Sequence, residues 1–389
     1  MSQPLKQLKY RQLYRVKEAG GAGSDEYGAV QLKDGSRRPM TAKERQAPET
    51  LPQETRIYRL DNLVSQGFRQ FTSVPFNFQK QEFDPGKTMN WKTTLDGLKR
   101  LAASQRVSAR QVGQTLCYVR FLEDFPAIPI HNVWTDSASG DNQTLQKLYV
   151  VQTLPKVIQR CVLMTTDPGD LVFDPTCGSG TTAYVAERWG RRWITCDTSR
   201  VAITLAKQRM MTASYDYFAL RYPHEGLSAG FVYETVPHIT LKSIANNPDI
   251  DTIYEAMHPP IAAALSALNV ALHTDPPEPF KPAQGNRKGK SLAFTSGAQL
   301  EEWEVPFVMP DGWPETAKQA FADFHSARQA MQAAMDQSIK DNAEQETLYD
   351  RPQVDKSRLR ITGPFSVEAV PAPTVLSLDE AAPVEQADT

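Results

Sequence analysis

Asp174, the glycine pair Gly178 and Gly180, and Asp197, 19 residues beyond Gly178, form a spacing that can do chemistry. Glycines allow a sharp turn from a strand into a helix and let a ligand approach the backbone, while the helix N-terminus offers free N–H groups to an anion. An acid at the end of the following strand can accept both hydroxyls of a ribose. The pattern therefore predicts a ligand that contains adenosine. Gly178-x-Gly180-x-x-Ala183 alone would also fit a nicotinamide dinucleotide. Two details favour S-adenosylmethionine. Asp174 stands directly before the loop, where a carboxylate would repel a pyrophosphate but could hold an α-ammonium group, and Pro175-Thr176-Cys177 is inserted ahead of the first glycine. An α/β turn without a ligand is the structural alternative.

Positioning those residues requires alternating helices and strands. Thr153 can cap a helix that has Pro155 in its first turn and Val157, Ile158, Cys161 and Val162 at helical spacing, ended by Asp167-Pro168-Gly169-Asp170. A buried strand is expected over Leu171–Phe173, a helix over Thr181–Trp189 stopped by Gly190, a second strand over Trp193–Cys196, and a helix capped by Ser199 with Val201, Leu205 and Met210 on one face. This is a βαβ unit followed by a helix, hence a parallel sheet of doubly wound type. Further on, 230–235 reads as a strand and 253–272 as mainly helix. Phe321, Phe324, Ala327, Met331, Met335 and Ile339 form an amphipathic helical stripe that reads as a docking face.

The 389 residues carry a formal charge of −2, which excludes a uniformly basic coat but not a local basic surface. Between Arg56 and Arg120 eleven cations face four anions, a surplus of +7, interleaved with Phe68, Phe71, Phe76, Phe78, Phe83, Trp91 and Tyr118. Cations for phosphates and flat rings for bases are what a nucleic-acid surface needs, although a small aromatic core with a solvated cationic rim gives the same composition. The four cysteines form no CxxC pair, so reduced thiols, no metal site and a cytoplasmic setting are expected. The longest apolar stretch, 261–272, is too short to span a bilayer.

The block DPGDLVFDPTCGSGTTAYVAERWGRRWITCDTS resembles the cofactor half of amino DNA methyltransferases, most closely the adenine-specific type III-like modification enzymes of β-type motif order. Val151–Lys156, Arg56–Leu63, Asn132–Asp136, Val236–Ile244 and Gly363–Glu368 resemble further parts of that family, so the likeness covers most of residues 50–371. It implies an α/β, Rossmann-like but incomplete S-adenosylmethionine sheet, with an inserted basic target-recognition region and a C-terminal helical extension. Asp174, Pro175, Thr176, Cys177, Gly178, Gly180, Thr181 and Asp197 would hold the cofactor, and Thr153 would lie in the segment packed on its methionine part. Arg69, Lys87, Trp91 and Lys92 would meet double-stranded DNA.

The expected organisation is a linker or partly ordered lead-in over 1–55, target recognition over 56–140, the cofactor core over 141–250, the helical extension over 251–371 and a disordered tail over 372–389. One departure matters. The family's Asp/Asn/Ser-Pro-Pro-aromatic tetrapeptide, which holds the flipped base, does not occur. Thr72-Ser73-Val74-Pro75-Phe76 lacks the first proline, and Asp275-Pro276-Pro277-Glu278 has Glu where the ring should be, which leaves Asp275 a poor catalytic candidate. The chain therefore reads as the C-terminal part of a truncated or split enzyme, with an N-terminal half or a restriction subunit as partner. An RNA base methyltransferase and a non-catalytic specificity subunit are the alternatives.

Overall fold

A computed structural model describes residues 8–21, 23–110, 115–134, 136 and 152–370. They fall into two interleaved units: a larger one of residues 12–132 and 233–349, and a smaller one of residues 1–11, 133–232 and 350–389. The larger unit begins with β1 (Tyr14–Val16), β2 (Ala29–Gln31), β3 (Arg37–Pro39), α1 (Ala42–Gln46), β4 (Arg56–Asn62), β5 (Val64–Gln66), β6 (Phe76–Phe78), β7 (Gln81–Phe83) and β8 (Met89–Trp91). α2 (Leu95–Ala103), β9 (Val107–Ala109), β10 (Leu116–Phe121) and β11 (Ala127–Pro129) follow. β3-β2-β4-β10-β9 form one antiparallel sheet.

This differs from the lead-in expected over 1–55. β2 and β3 extend the sheet from β4, with Ala29 opposite Tyr58, and Thr41 closes a capping box on α1. Strands of three residues are too short to show a period. Pairing is what holds them, β2 on β4 and β3 on β2.

In the smaller unit come α3 (Pro155–Thr165), β12 (Leu171–Asp174), α4 (Thr181–Arg188), β13 (Arg192–Thr195), α5 (Arg200–Thr212) and β14 (Ser214–Phe218). β12 and β13 are parallel, with Phe173 opposite Ile194 and Asp174 opposite Thr195. The βαβ unit is present, but the wide doubly wound sheet is not: among the described residues these two strands form a sheet of two. Alternation places Leu171, Phe173 and Ile194 on one face, and all three are exposed. Such a face is unusual, because parallel strands are normally covered on both sides.

The chain then returns to the larger unit through β15 (Tyr233–His238), α6 (Leu241–Ala245), α7 (Asp249–Thr274), α8 (Lys318–Asp341) and β16 (Glu344–Pro352), and β17 (Val354–Ile361) pairs with β14 in the smaller. The helices expected as a separate extension share one core with the basic segment: Phe324, Met331, Met335 and Ile339 of α8 bury with Leu98, Leu101 and Trp91. Residues 233–250, expected in the cofactor core, also belong to the larger unit. The tail expected over 372–389 lies outside the described residues, among which no helix is long and apolar enough to cross a membrane.

Candidate cofactor site and nucleic-acid interface

Where β12 ends, the backbone of Asp174 accepts from Cys196 N (3.0 Å) and Cys177 N donates to Cys196 O (2.7 Å), so the two strand ends are stitched at the mouth of the loop. Gly178 and Gly180 then take left-handed conformations, φ 50° and 73°. Gly180 caps α4 by its backbone. A Cβ there would stand 2.8 Å from that of Ala206, so only glycine lets α5 pack this close.

Asp197 organises the loop from the end of β13. One carboxylate oxygen accepts Gly178 N and the other Ser199 N, each at 2.8 Å. The bonds from Ser199 and Gly178 hold its pKa below the usual carboxylate range, so it is ionised at neutral pH. Each oxygen keeps a lone pair that can take a further donor. Asp174 accepts Thr176 N (2.9 Å) and its hydroxyl (3.2 Å) on a single oxygen and is half-buried at the loop mouth, while Pro175 and Thr176 are exposed. Cys177 is buried, and burial pushes its thiol pKa up, so it is not a nucleophile poised for attack.

Arg209, which the sequence did not single out, braces the loop from α5. Its guanidinium donates to Ser179 O (3.3 Å) and Thr181 Oγ1 (3.1 Å) and stacks over Tyr184 at 4.5 Å. One cation among others on a helix of mixed composition carries no sequence signal; its role comes from packing. The cap expected of Thr153 is not made: Leu154 is the N-cap of α3, Pro155 fills the first helical position, and Thr153 is exposed. Pro155 has no N–H to be capped, which removes one donor that such a cap serves.

In the basic segment, Arg56, Arg59, Lys80, Lys99, Arg100, Arg106 and Arg120 each pair with a carboxylate. Arg106 and Asp124 meet at 2.7 Å in full burial. Arg69, Lys87 and Lys92 are exposed and, among the described residues, join no ion pair. Gly67 N donates to Thr88 O (2.9 Å), which places Arg69 and Lys87 at one end of the β5–β8 hairpin.

Trp91 is a correction. It is 2% exposed, donates from Nε1 to Val74 O (2.9 Å) and lies in the core, so it cannot stack on a base. Phe76, Phe83 and Tyr118 are buried too, whereas Phe68 and Phe71 stand 67% and 81% exposed beside Arg69. Asp275 ends α7 at the surface of the larger unit, whereas Asp174 and Asp197 belong to the smaller.

Residues 71–208 match the model of a family described as DNA methylase, N6_N4_Mtase. The type II methyltransferase M2.LlaDCHI of Lactococcus lactis subsp. cremoris is 33% identical over 79 residues, 20% of this chain and 29% of that protein. M2.DpnII of Streptococcus pneumoniae is 34% identical over 79 residues, 20% of this chain and 30% of that protein. The chain thus spans less than a third of the length of these relatives. The crystal structure of the M1.HpyAVI-SAM complex shares 20% identity at a TM-score of 0.17, covering 26% of this chain and 55% of that one, which is too low to bear on the fold. The glycine loop, its second-strand acid and the family match coincide in one stretch of sequence, and over residues 71–208 the chain is similar to the N6/N4 family of DNA methylases.

Proposed function

We propose that this chain serves methyl transfer from S-adenosylmethionine to an exocyclic amine of double-stranded DNA, N6 of adenine first, in the cytoplasm. It would act together with a polypeptide segment that supplies the Pro-Pro-aromatic tetrapeptide. The observation that carries the reading is the clamp of Asp197 on Gly178 and Ser199 at the mouth of a left-handed glycine loop. Its donor set fits the cofactor: an ionised acid with free lone pairs suits a ribose diol, and the first N–H groups of α4 have no intrahelical acceptor. Asp174 at the mouth disfavours a pyrophosphate and suits an ammonium group.

Bound there, S-adenosylmethionine would supply an electrophilic methyl group. This chain's part is to hold and orient. Asp197 anchors the ribose end, Arg209 keeps the loop in shape, and Arg69, Lys87 and Lys92 meet phosphates while Phe68 and Phe71 offer stacking faces. Acceptors for the amine's protons belong to the tetrapeptide. The exposed face of Leu171, Phe173 and Ile194 supports the same partner, since a segment of further parallel strands and their crossover helices would cover it and pair the edge of β12 that has no neighbour among the described residues.

Purified chain with tritiated cofactor, mixed-sequence DNA or RNA, and an added tetrapeptide-bearing segment tests the reading. Label should enter DNA only when that segment is present. Asp197→Ala should weaken cofactor binding roughly 10- to 100-fold, the loss of a charge-assisted bond of about 1.5–3 kcal/mol. Equal cofactor affinity of variant and parent, or preference for NAD, would sink the assignment. Methylation by the chain alone would refute the need for a partner and make Asp275→Ala the deciding variant. A second reading, a DNA-binding subunit that keeps the cofactor loop without transferring methyl groups, is favoured by the missing tetrapeptide. It predicts DNA binding with no label under either condition.

A further inference from the structure

In the larger unit a cavity of about 800 Å³ opens among the β6–β7 hairpin, α2, α7, α8 and the segment that precedes α8. That is within the size range of small-molecule sites. Phe78, Trp303 and Phe307 provide aromatic walls. Gly285 fixes one of them: it has φ +78°, and a Cβ there would come within 2.3 Å of Trp303 Nε1, so the backbone presses directly on the indole. Asn77, Gln79 and Gln284 bring amide groups, with Gln79 donating to Gln284 at 3.3 Å.

Most charges that line the cavity are already answered. Lys99 pairs with Asp96 (2.8 Å), Asp251 with Arg100 (2.8 Å) and Glu302 with His258 (2.9 Å), and Arg37 donates to Gln31 (2.8 Å) and Gln105 O (2.7 Å). Glu255 is exposed at the surface of α7. Arg328 is different. It is half-buried, its guanidinium lies 5.8 Å from the centre of the Phe307 ring, and among the described residues it makes no hydrogen bond or ion pair. Burial lowers its pKa, and nearby Glu302 offsets only part of that. A half-buried guanidinium whose N–H donors have no acceptor among the described residues is placed to take a ligand's anion.

We propose that this cavity binds a nucleotide, with its phosphate on Arg328 and its base between the aromatic walls. A guanidinium fork matches phosphate oxygens bidentately, flat rings stack on bases whatever their sequence, and amide side chains match base edges. A fatty carboxylate would satisfy Arg328 but leave the amides without partners. The nucleotide can be free or one unit of a nucleic-acid strand. The proposal does not rest on methyl transfer: the cavity can fail to bind in a chain that methylates DNA, and methylation can fail in a chain whose cavity binds.

Calorimetry on the full chain with dTMP, thymidine and a single-stranded oligothymidylate tests it, thymine being chosen because the cofactor loop would itself take adenosine. dTMP should bind at least 10-fold more tightly than thymidine. Arg328→Met should abolish that preference with little change in melting temperature, because among the described residues no hydrogen bond or ion pair is lost and the methionine can still pack on Phe307. Displacement of dTMP by the oligonucleotide assigns the site to a strand, and its absence to a free nucleotide. Equal binding of dTMP and thymidine, parental dTMP affinity in R328M, or a preference for laurate over dTMP would overturn the proposal. Should R328M fail to fold, R328K, which keeps the charge without the fork, must still lose part of the preference; if it does not, Arg328 holds no phosphate.

Discussion

The glycine loop of the smaller unit and the cation-rich stretch of the larger one arrange their polar groups in opposite ways. In the loop, one carboxylate is tied to backbone N–H groups, and among the described residues no side chain is hydrogen-bonded to Asp197. Its charge remains available to a ligand. In the cation-rich stretch, seven arginines and lysines are matched to acids within the unit, and Arg106 and Asp124 are sealed inside. A surplus of charge in sequence is thus a poor guide to a charged surface, because partners come from distant elements such as α7 and α8: Asp251 for Arg100, and Asp336 for Arg56 at 2.8 Å. A loop whose geometry depends on neighbours in sequence keeps its meaning.

The contrast can be broken most forcefully at Trp91. If it is core, Trp91→Ala should cost about 3–5 kcal/mol, read by chemical denaturation. Full stability with weakened DNA binding would instead restore it to the surface. Next, Gly180→Ala should cost about 2–4 kcal/mol, from the left-handed backbone and the clash with Ala206, with loss of cofactor affinity in titration calorimetry. A stable variant that binds cofactor normally would show that the loop has slack. Replacing Arg69, Lys87 and Lys92 together with glutamine should change the unfolding free energy by no more than about 1–2 kcal/mol and reduce the salt slope of DNA binding by roughly 3. Lys99→Gln, which removes an already paired cation, is the control and should leave the slope alone.

The smallest effect is a pH response. Burial lowers the pKa of His325 below its ordinary 6.5, against a bond to Pro306 O at 2.9 Å. The unfolded chain then takes up the proton first as pH falls, so this contribution to stability is complete above about pH 6.5 and declines below it, down to the depressed native value. Melting curves from pH 7.5 to 5 should show the decline in the parent and less of it in His325→Asn.

Legibility in the sequence followed range along the chain. β12, α4, β13 and α5 were readable to within a residue or two, because the caps and stops that bound them, Ser199 and Gly190, are local. The glycine conformations and Asp197 followed from the same short stretch. β2 and β3 were not readable, since three-residue strands owe their existence to the strands they pair with, β4 for β2 and β2 for β3. Trp91 was misassigned because composition cannot say which ring of a cluster faces inward; Phe71 and Trp91 carry similar signals and end at 81% and 2% exposure. Arg209 and Arg328 escaped notice for the same reason, being defined by what folds around them.

The interleaving of the two units has a temporal consequence. Trp91, Leu98 and Leu101 leave the ribosome long before Phe324, Met331 and Met335, with which they share a core, and the whole βαβ unit is synthesised in between. β14 likewise waits for β17. Contacts this distant in sequence make folding slow and leave apolar surfaces open meanwhile. The glycine loop, whose partners lie within about 30 residues of it, can assemble early in synthesis, so the nascent chain would hold a formed cofactor loop while its cation-rich neighbour is still incomplete.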